Sequence, residues 1–138
     1  MAMMDRDLAE QYSATSYMVE IPGAPLRLRI GQANAALDEL LRRHGATTWA
    51  FITAWNPQSI PADLRANERD NAALLERIIR MGYPVLPGIG IGDEGGWAEA
   101  SFFIIGIPRA DALQLGRSYD QRAIVAGEQG APPELVWC

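Results

Sequence analysis

Residues 88–107 read GIGIGDEGGWAEASFFIIGI, and the conformation of the chain after the glycines decides the fold. Gly90, Gly92 and Gly95 carry the spacing G-x-G-x-x-G. In a dinucleotide-binding unit such glycines turn a strand into a helix, whose N-terminal amides and dipole face a pyrophosphate. Here they lead instead into Trp97-Ala98-Glu99-Ala100-Ser101-Phe102-Phe103, whose aromatic content and alternation are those of a strand. Asp93 and Glu94 sit inside the motif, where they would repel a phosphate. The stretch therefore reads as a mobile, acidic hairpin loop entering a strand, not as a nucleotide cradle.

Working outward, residues 83–92, YPVLPGIGIG, are extended but broken by Pro84 and Pro87, which suits an edge strand or a loop. Residues 16–21 and 25–31 flank Pro22-Gly23-Ala24 and read as a hairpin, with Leu26, Leu28 and Ile30 alternating against Arg27 and Arg29. Residues 32–46 carry Ala33, Ala36, Leu37, Leu40 and Leu41 at helical spacing, closed by Arg42, Arg43, His44 and Gly45. His44 is the single histidine and reads as a helix cap. Residues 47–57 form a strand ended by Asn56-Pro57. A long helix runs from Pro61 to about Met81. After the strand at 97–107 come a helix at 109–119 and a strand at 122–127. Residues 128–138 are a C-terminal tail or short strand, and residues 1–11 a short helix or frayed lead-in. The order predicts an α+β fold: a single mixed, mainly antiparallel β-sheet with two or three helices packed on one face. No Pro- or Ser-rich linker divides the chain, so residues 1–138 read as a single domain.

Composition narrows function by exclusion. The chain has 138 residues, 49% of them hydrophobic, and a net charge of -5. That length buries enough surface for a core without disulfides. The negative charge argues against nucleic acid and anionic membrane as partners. All 12 basic residues are arginine, which removes Schiff-base and P-loop lysine chemistry. One cysteine, Cys138, and one histidine provide neither a disulfide nor a metal cluster, so no metal and no cofactor are expected. No signal-type or membrane-length apolar run is present, and the expectation is a soluble cytoplasmic protein.

Candidate functional residues are the polar positions that interrupt apolar patterns. Trp97, Glu99, Ser101, Phe103 and Ile105 project to one face of their strand. Glu99 thus lies on a line that turns apolar, and a buried carboxylate needs water, a proton or a partner. Trp49, Phe51, Thr53 and Trp55 share a face before the chain leaves through Asn56, Pro57, Gln58 and Ser59. Asn67 and Asn71 lie one turn apart on the helix face that later carries Leu74 and Ile78. Gln121 follows Tyr119 at a helix–strand junction.

The blocks WAFITAWNPQS at 49–59, GWAEASFFIIGI at 96–107 and LGRSYDQRAIV at 115–125 resemble the bacterial domain of unknown function 3293 family. The resemblance runs from about Tyr12 to Val125. Its pattern maps onto Thr15, Tyr17, Thr53, Trp55, Asn56, Pro57, Ser59, Asn67, Arg69, Gly96, Trp97, Glu99, Ser101, Gly116 and Gln121. The pattern implies a second acid at Ala100 and a glycine at Asp120, where this chain departs from it. It implies no activity.

Two readings follow. In the first, a cleft lined by Thr53, Trp55, Asn56, Asn67, Arg69, Trp97, Ser101 and Gln121 binds a small polar or nucleotide-like ligand. Arg69 would pair an anionic group, the asparagines would orient it, and a tryptophan would stack. If the site is catalytic, Glu99 is the general base of a hydrolase or transferase; no reaction is assigned. In the alternative, Glu99, Arg69 and the asparagines are a structural network in a protein-interaction module or homodimer. The 83–92 segment would then pair with a partner strand.

Overall fold

The structure, a computed structural model, describes residues 5–93 and 97–138. Helix α1 (Asp5–Ser13) precedes the hairpin of β1 (Ser16–Val19) and β2 (Leu26–Leu28), then α2 (Ala35–Arg43) and β3 (Thr48–Ile52). Next come α3 (Leu64–Met81), β4 (Val85–Ile91), β5 (Ala98–Ile105), α4 (Arg109–Ser118), β6 (Ala123–Glu128) and β7 (Glu134–Trp137). All seven strands join one curled sheet in the order β2-β1-β4-β5-β3-β6-β7. Every neighbouring pair is antiparallel. The fold is α+β, with four α-helices among the described residues.

The helices divide between the two sides of the sheet, where one side was expected. The cause is the central strands. β3 buries Trp49 and Phe51 on one face and Ala50 and Ile52 on the other, and β6 is buried at four successive residues. A strand apolar on both faces needs a layer on each. On the first face Leu37, Leu40 and Leu41 of α2 pack over Tyr17, Leu28, Trp49, Phe51, Phe103 and Val125. On the second, Leu74 and Ile78 of α3 and Ala112 and Leu115 of α4 cover Ala50, Ile52, Ile104 and Ile124. Side-chain caps start α2 at Asn34 and α3 at Asp63. His44 Nδ1 lies 3.0 Å from the Leu40 carbonyl at the end of α2, the capping position expected. Residues 5–11 belong to α1, which is anchored by the fully buried Leu8.

The glycine-rich segment forms β4 and the start of a hairpin. The Gly92 amide donates to the Trp97 carbonyl at 3.1 Å, and β4 then pairs with β5 from Ile91↔Ala98 to Val85↔Ile104. No helix follows the glycines, so the dinucleotide reading is excluded by geometry. Gly95, Gly96 and Glu94 lie outside the described residues, as does that part of the expected acidic loop. β4 is an inner strand between β1 and β5, not the edge strand or loop that its prolines suggest. Residues 83–92 are therefore not an open edge for a partner strand. Pro87 is tolerated because it sits where β1 ends. Its carbonyl accepts from the Glu20 amide at 2.9 Å, so its missing N–H would point past Val19, the last residue of β1.

The glycines of β4 serve packing. A Cβ on Gly88 would come within 2.7 Å of both the Phe51 ring and the Met18 carbonyl, and one on Gly92 within 2.8 Å of the Trp97 indole nitrogen. The Phe51 ring, from β3, thus lies directly against the β4 backbone, and the Trp97 indole against Gly92 just beyond it. Replacing Gly88 with alanine is expected to destabilise the protein by about 1–3 kcal/mol, because the Met18 carbonyl cannot move without breaking the ladder. Urea unfolding measures this directly. An unchanged midpoint would show that the strands are not so closely approached.

Candidate functional site

The site originates where β3 leaves the sheet. The last paired residues of β3 and β5 are Ile52↔Phe102. Beyond them the strands part, and the Asn71 amide from α3 fills the gap. Its Oδ1 accepts from the Ala54 amide at 2.8 Å, and its Nδ2 donates to the Ala100 carbonyl at 2.8 Å. Thr53 Oγ1 donates to the same carbonyl at 2.7 Å and accepts from the Trp55 amide at 3.0 Å. One turn earlier on α3, Asn67 Oδ1 accepts from the Asn56 amide at 2.9 Å. Both asparagines are buried on the helix face that continues as Leu74 and Ile78. Their amides replace ladder hydrogen bonds that the departing chain has lost.

These bonds fix Asn56 and, through it, Glu99. Asn56 adopts the left-handed region at φ 46 and ψ 67, which asparagine tolerates better than most residues. Its Oδ1 accepts from the Ala62 amide at 3.0 Å and from Asn67 Nδ2 at 2.9 Å. Since Ala62 supplies a backbone N–H, the orientation of the Asn56 side-chain amide is determined. Its Nδ2 must face the other way, where it donates to Glu99 Oε2 at 3.2 Å. Gln58 and Ser59 follow at φ 58 and φ 60. The run of left-handed residues is held by Asp120, whose carbonyl accepts from the Gln58 amide at 2.8 Å and from Gln58 Nε2 at 2.9 Å.

Glu99 borders a cavity of about 240 Å³ on the first face of the sheet. The row Tyr17, Gly90, Glu99 crosses β1, β4 and β5 in register, and α1 closes the opposite side with Leu8, Gln11 and Tyr12. Tyr17 Oη donates to the Tyr12 carbonyl at 2.8 Å, and Thr15 Oγ1 to the Gln11 carbonyl at 2.7 Å, so α1 is tied to β1 at the cavity rim. An ion pair between Asp5 and Arg122 ties the other end of α1 to the sheet. Burial pushes the Glu99 carboxyl up to about 7, opposed by the Asn56 hydrogen bond, which favours the charged form. Burial also raises both tyrosine hydroxyls, with the nearby Glu99 charge adding to the effect. Glu99 is thus a group that can gain or lose a proton at neutral pH.

Of the residues expected from the sequence, Thr53, Asn56, Trp97, Glu99 and Ser101 line this cavity. Asn67 stands behind Asn56 as its support. Gln121 is buried, and its Nε2 donates to the Trp55 carbonyl at 3.2 Å and the Tyr119 carbonyl at 3.3 Å. It latches the α4–β6 junction to the departing chain, and neither it nor Trp55 borders the cavity. Arg69 lies on the exposed side of α3, 3.5 Å from Asp70, with a side chain 75% exposed; it meets neither the cavity nor Glu99. Tyr12 and Tyr17 are the wall residues that composition and periodicity did not single out. The signal available was Leu8 and Tyr12, an apolar pair four residues apart in an otherwise polar segment.

The departures from the family pattern also have locations. Ala100 is exposed on the opposite face of β5 from Glu99, so a second acid there would point away from the cavity. Asp120 has φ 55, the left-handed region that a glycine takes up without strain. Among the described residues, no group of three or more His, Cys, Asp or Glu could hold a metal ion, and no helix is long and apolar enough to cross a membrane.

A family model described as "Protein of unknown function (DUF3293)" matches residues 52–124, the stretch from the end of β3 into β6 that contains the asparagine amides, Trp97, Glu99 and Ser101. No curated protein and no solved structure matches the chain.

Two outcomes are expected. Asn71→Ala removes the acceptor of the buried Ala54 amide and should cost about 2–3 kcal/mol in chemical denaturation; a loss below 0.5 kcal/mol, roughly that of an ordinary surface change, would mean that the amide does not bridge the strands. The second concerns pH. The folded Glu99 value is raised, so its contribution to stability is fully present below the unfolded value. That contribution is lost as pH rises through about 7. Relative to Glu99→Gln, the unaltered protein should lose up to about 3 kcal/mol between pH 4 and pH 8. Parallel stability curves for the two proteins would contradict the burial of this carboxyl.

Proposed function

The chain belongs to the DUF3293 family, and we propose that it is a small-molecule-binding protein whose ligand occupies the cavity between α1 and the sheet. The observation that carries this reading is the combination of a cavity of about 240 Å³ with an unusually poised carboxyl at its border. Ligand sites combine apolar walls with a few oriented polar groups. Here Tyr12, Tyr17, Phe51 and Trp97 supply the walls, and Glu99, Thr53 and Ser101 the polar groups. Asn56 holds Glu99 through an amide whose other contacts are all to the scaffold. Such support is characteristic of a site that must keep its geometry when its occupant leaves.

A phosphate-bearing nucleotide fits this reading poorly. No arginine borders the cavity among the described residues, and Arg69 is directed elsewhere. If the site is catalytic, Glu99 is the group placed to carry a proton. An acid that titrates near neutrality serves as base or acid with little driving force lost.

Gly90 provides the test. It faces the cavity between Tyr17 and Glu99, and a Cβ there would meet nothing nearer than 3.8 Å. Gly90→Leu should fill the cavity while leaving the strands paired. In a fragment screen by ligand-observed NMR, compounds that bind the unaltered protein should lose all binding to the Gly90→Leu variant. A compound present at 100 times its Kd should also stabilise the unaltered protein by ~2.7 kcal/mol. Fragments that bind both proteins equally would place the site elsewhere and refute the proposal.

A further inference from the structure

Resting on the reading of this cavity as a ligand site, we propose that its ligand class is a small organic ammonium ion with an apolar or aromatic body, held by Glu99 as counter-ion within the aromatic walls. Four aromatic side chains, Tyr12, Tyr17, Phe51 and Trp97, border a space of about 240 Å³. That space admits a small organic molecule rather than a single water. Aromatic rings attract cations through their quadrupoles, and desolvated sites strengthen the attraction.

The charge pattern favours the same sign. Glu99 is the one charged side chain among the described residues bordering the cavity. Its Oε2 is occupied by Asn56 Nδ2, and among the described residues no ion pair is made by Glu99. A carboxylate left half-buried with one neutral donor is poorly compensated, and a cationic ligand completes it. An anionic ligand would meet the carboxylate with no positive partner. A neutral ligand would gain the aromatic contacts but leave the charge uncompensated.

Proton linkage follows from this arrangement. The groups facing Glu99 are Tyr12 from α1, Tyr17 from β1 and Asn56 from the chain after β3. Behind them Arg122 acts on Tyr12 and Arg29 on Tyr17. Both tyrosines stay protonated across the neutral range, so the one group that changes charge beside the ligand is Glu99. An ammonium ion pairs with the ionised carboxylate. Below neutrality its binding must therefore expel one proton from Glu99 to solvent.

Benzylammonium, with eight non-hydrogen atoms, is the probe. Benzyl alcohol matches its shape without the charge, and benzoate reverses the charge. Calorimetric titration of the full chain at pH 8 should give benzylammonium an affinity at least tenfold above benzyl alcohol, with no binding of benzoate. Between pH 8 and pH 5 the benzylammonium affinity should fall roughly tenfold or more, to near that of benzyl alcohol, as Glu99 with a value near 7 takes up its proton. Glu99→Gln should abolish both the preference for the cation and the pH dependence. Should that variant fail to fold, the pH dependence of the unaltered chain decides alone, and a constant affinity overturns the proposal. Equal binding of benzyl alcohol and benzylammonium would overturn the ammonium class while leaving the cavity as a ligand site. If none of the three binds at ~10 mM, where even a Kd of ~1 mM is nearly saturated, the ammonium class is overturned, and the fragment screen against Gly90→Leu decides separately whether the cavity takes another ligand.

Discussion

The parting of β3 from β5 after Ile52↔Phe102, and the buried asparagine amides that bridge it, govern the rest of this molecule. Two strands cannot separate inside a protein without stranding backbone amides and carbonyls. Asn71 and Asn67, one turn apart on α3, take up those groups at Ala54, Ala100 and Asn56. The gap makes the cavity available, and the same amides fix its polar side. Asn67 orients the Asn56 amide, and Asn56 in turn directs a donor at Glu99. Helix, strand ends and carboxyl therefore form one hydrogen-bonded chain, in which the scaffold and the site are continuous.

The sheet wall beside Glu99 depends on glycine. Gly88 and Gly92 let the Phe51 ring and the Trp97 indole lie against β4, and Gly90 keeps the row between Tyr17 and Glu99 clear. A side chain at any of these positions would be pushed into an aromatic ring or would occupy the cavity. The spelling G-x-G-x-x-G thus arises from close packing across an antiparallel sheet. It has no connection to a phosphate, as the inner position of β4 and the strand that follows it make plain.

Much of the fold is legible from residues alone. Alternation in Leu26-Arg27-Leu28, the strand character of 97–107 and the stripe of α2 place their elements within a few residues. The inner position of β4 is not legible, because Pro87 signals an edge unless it is known that β1 stops at Val19. The two-sided packing is carried by the unbroken apolar run Trp49-Ala50-Phe51-Ile52, which alternation-based reading treats as one face. In the site, Glu99, Asn56, Thr53, Trp97 and Ser101 stand out as polar or aromatic interruptions of apolar patterns. Arg69 is singled out only by the family resemblance, and two residues from Asn67 on a helix is nearly opposite, so its side chain points to solvent. Tyr12 and Tyr17 come from a short polar helix and its neighbour, and reach the cavity only through tertiary packing.

Scaffold and site meet in Glu99, a half-buried, Asn56-anchored carboxyl that exchanges its proton near neutrality. Carbon-detected NMR of the glutamate side-chain carboxyls across pH 3 to pH 9 observes this group itself. The Glu99 carboxyl should show a midpoint of about 7. That midpoint should rise further in Asn56→Ala, since the lost donor favours the charged form. A Glu99 midpoint within the ordinary carboxylate range, unmoved by the Asn56 substitution, would contradict this role of Glu99.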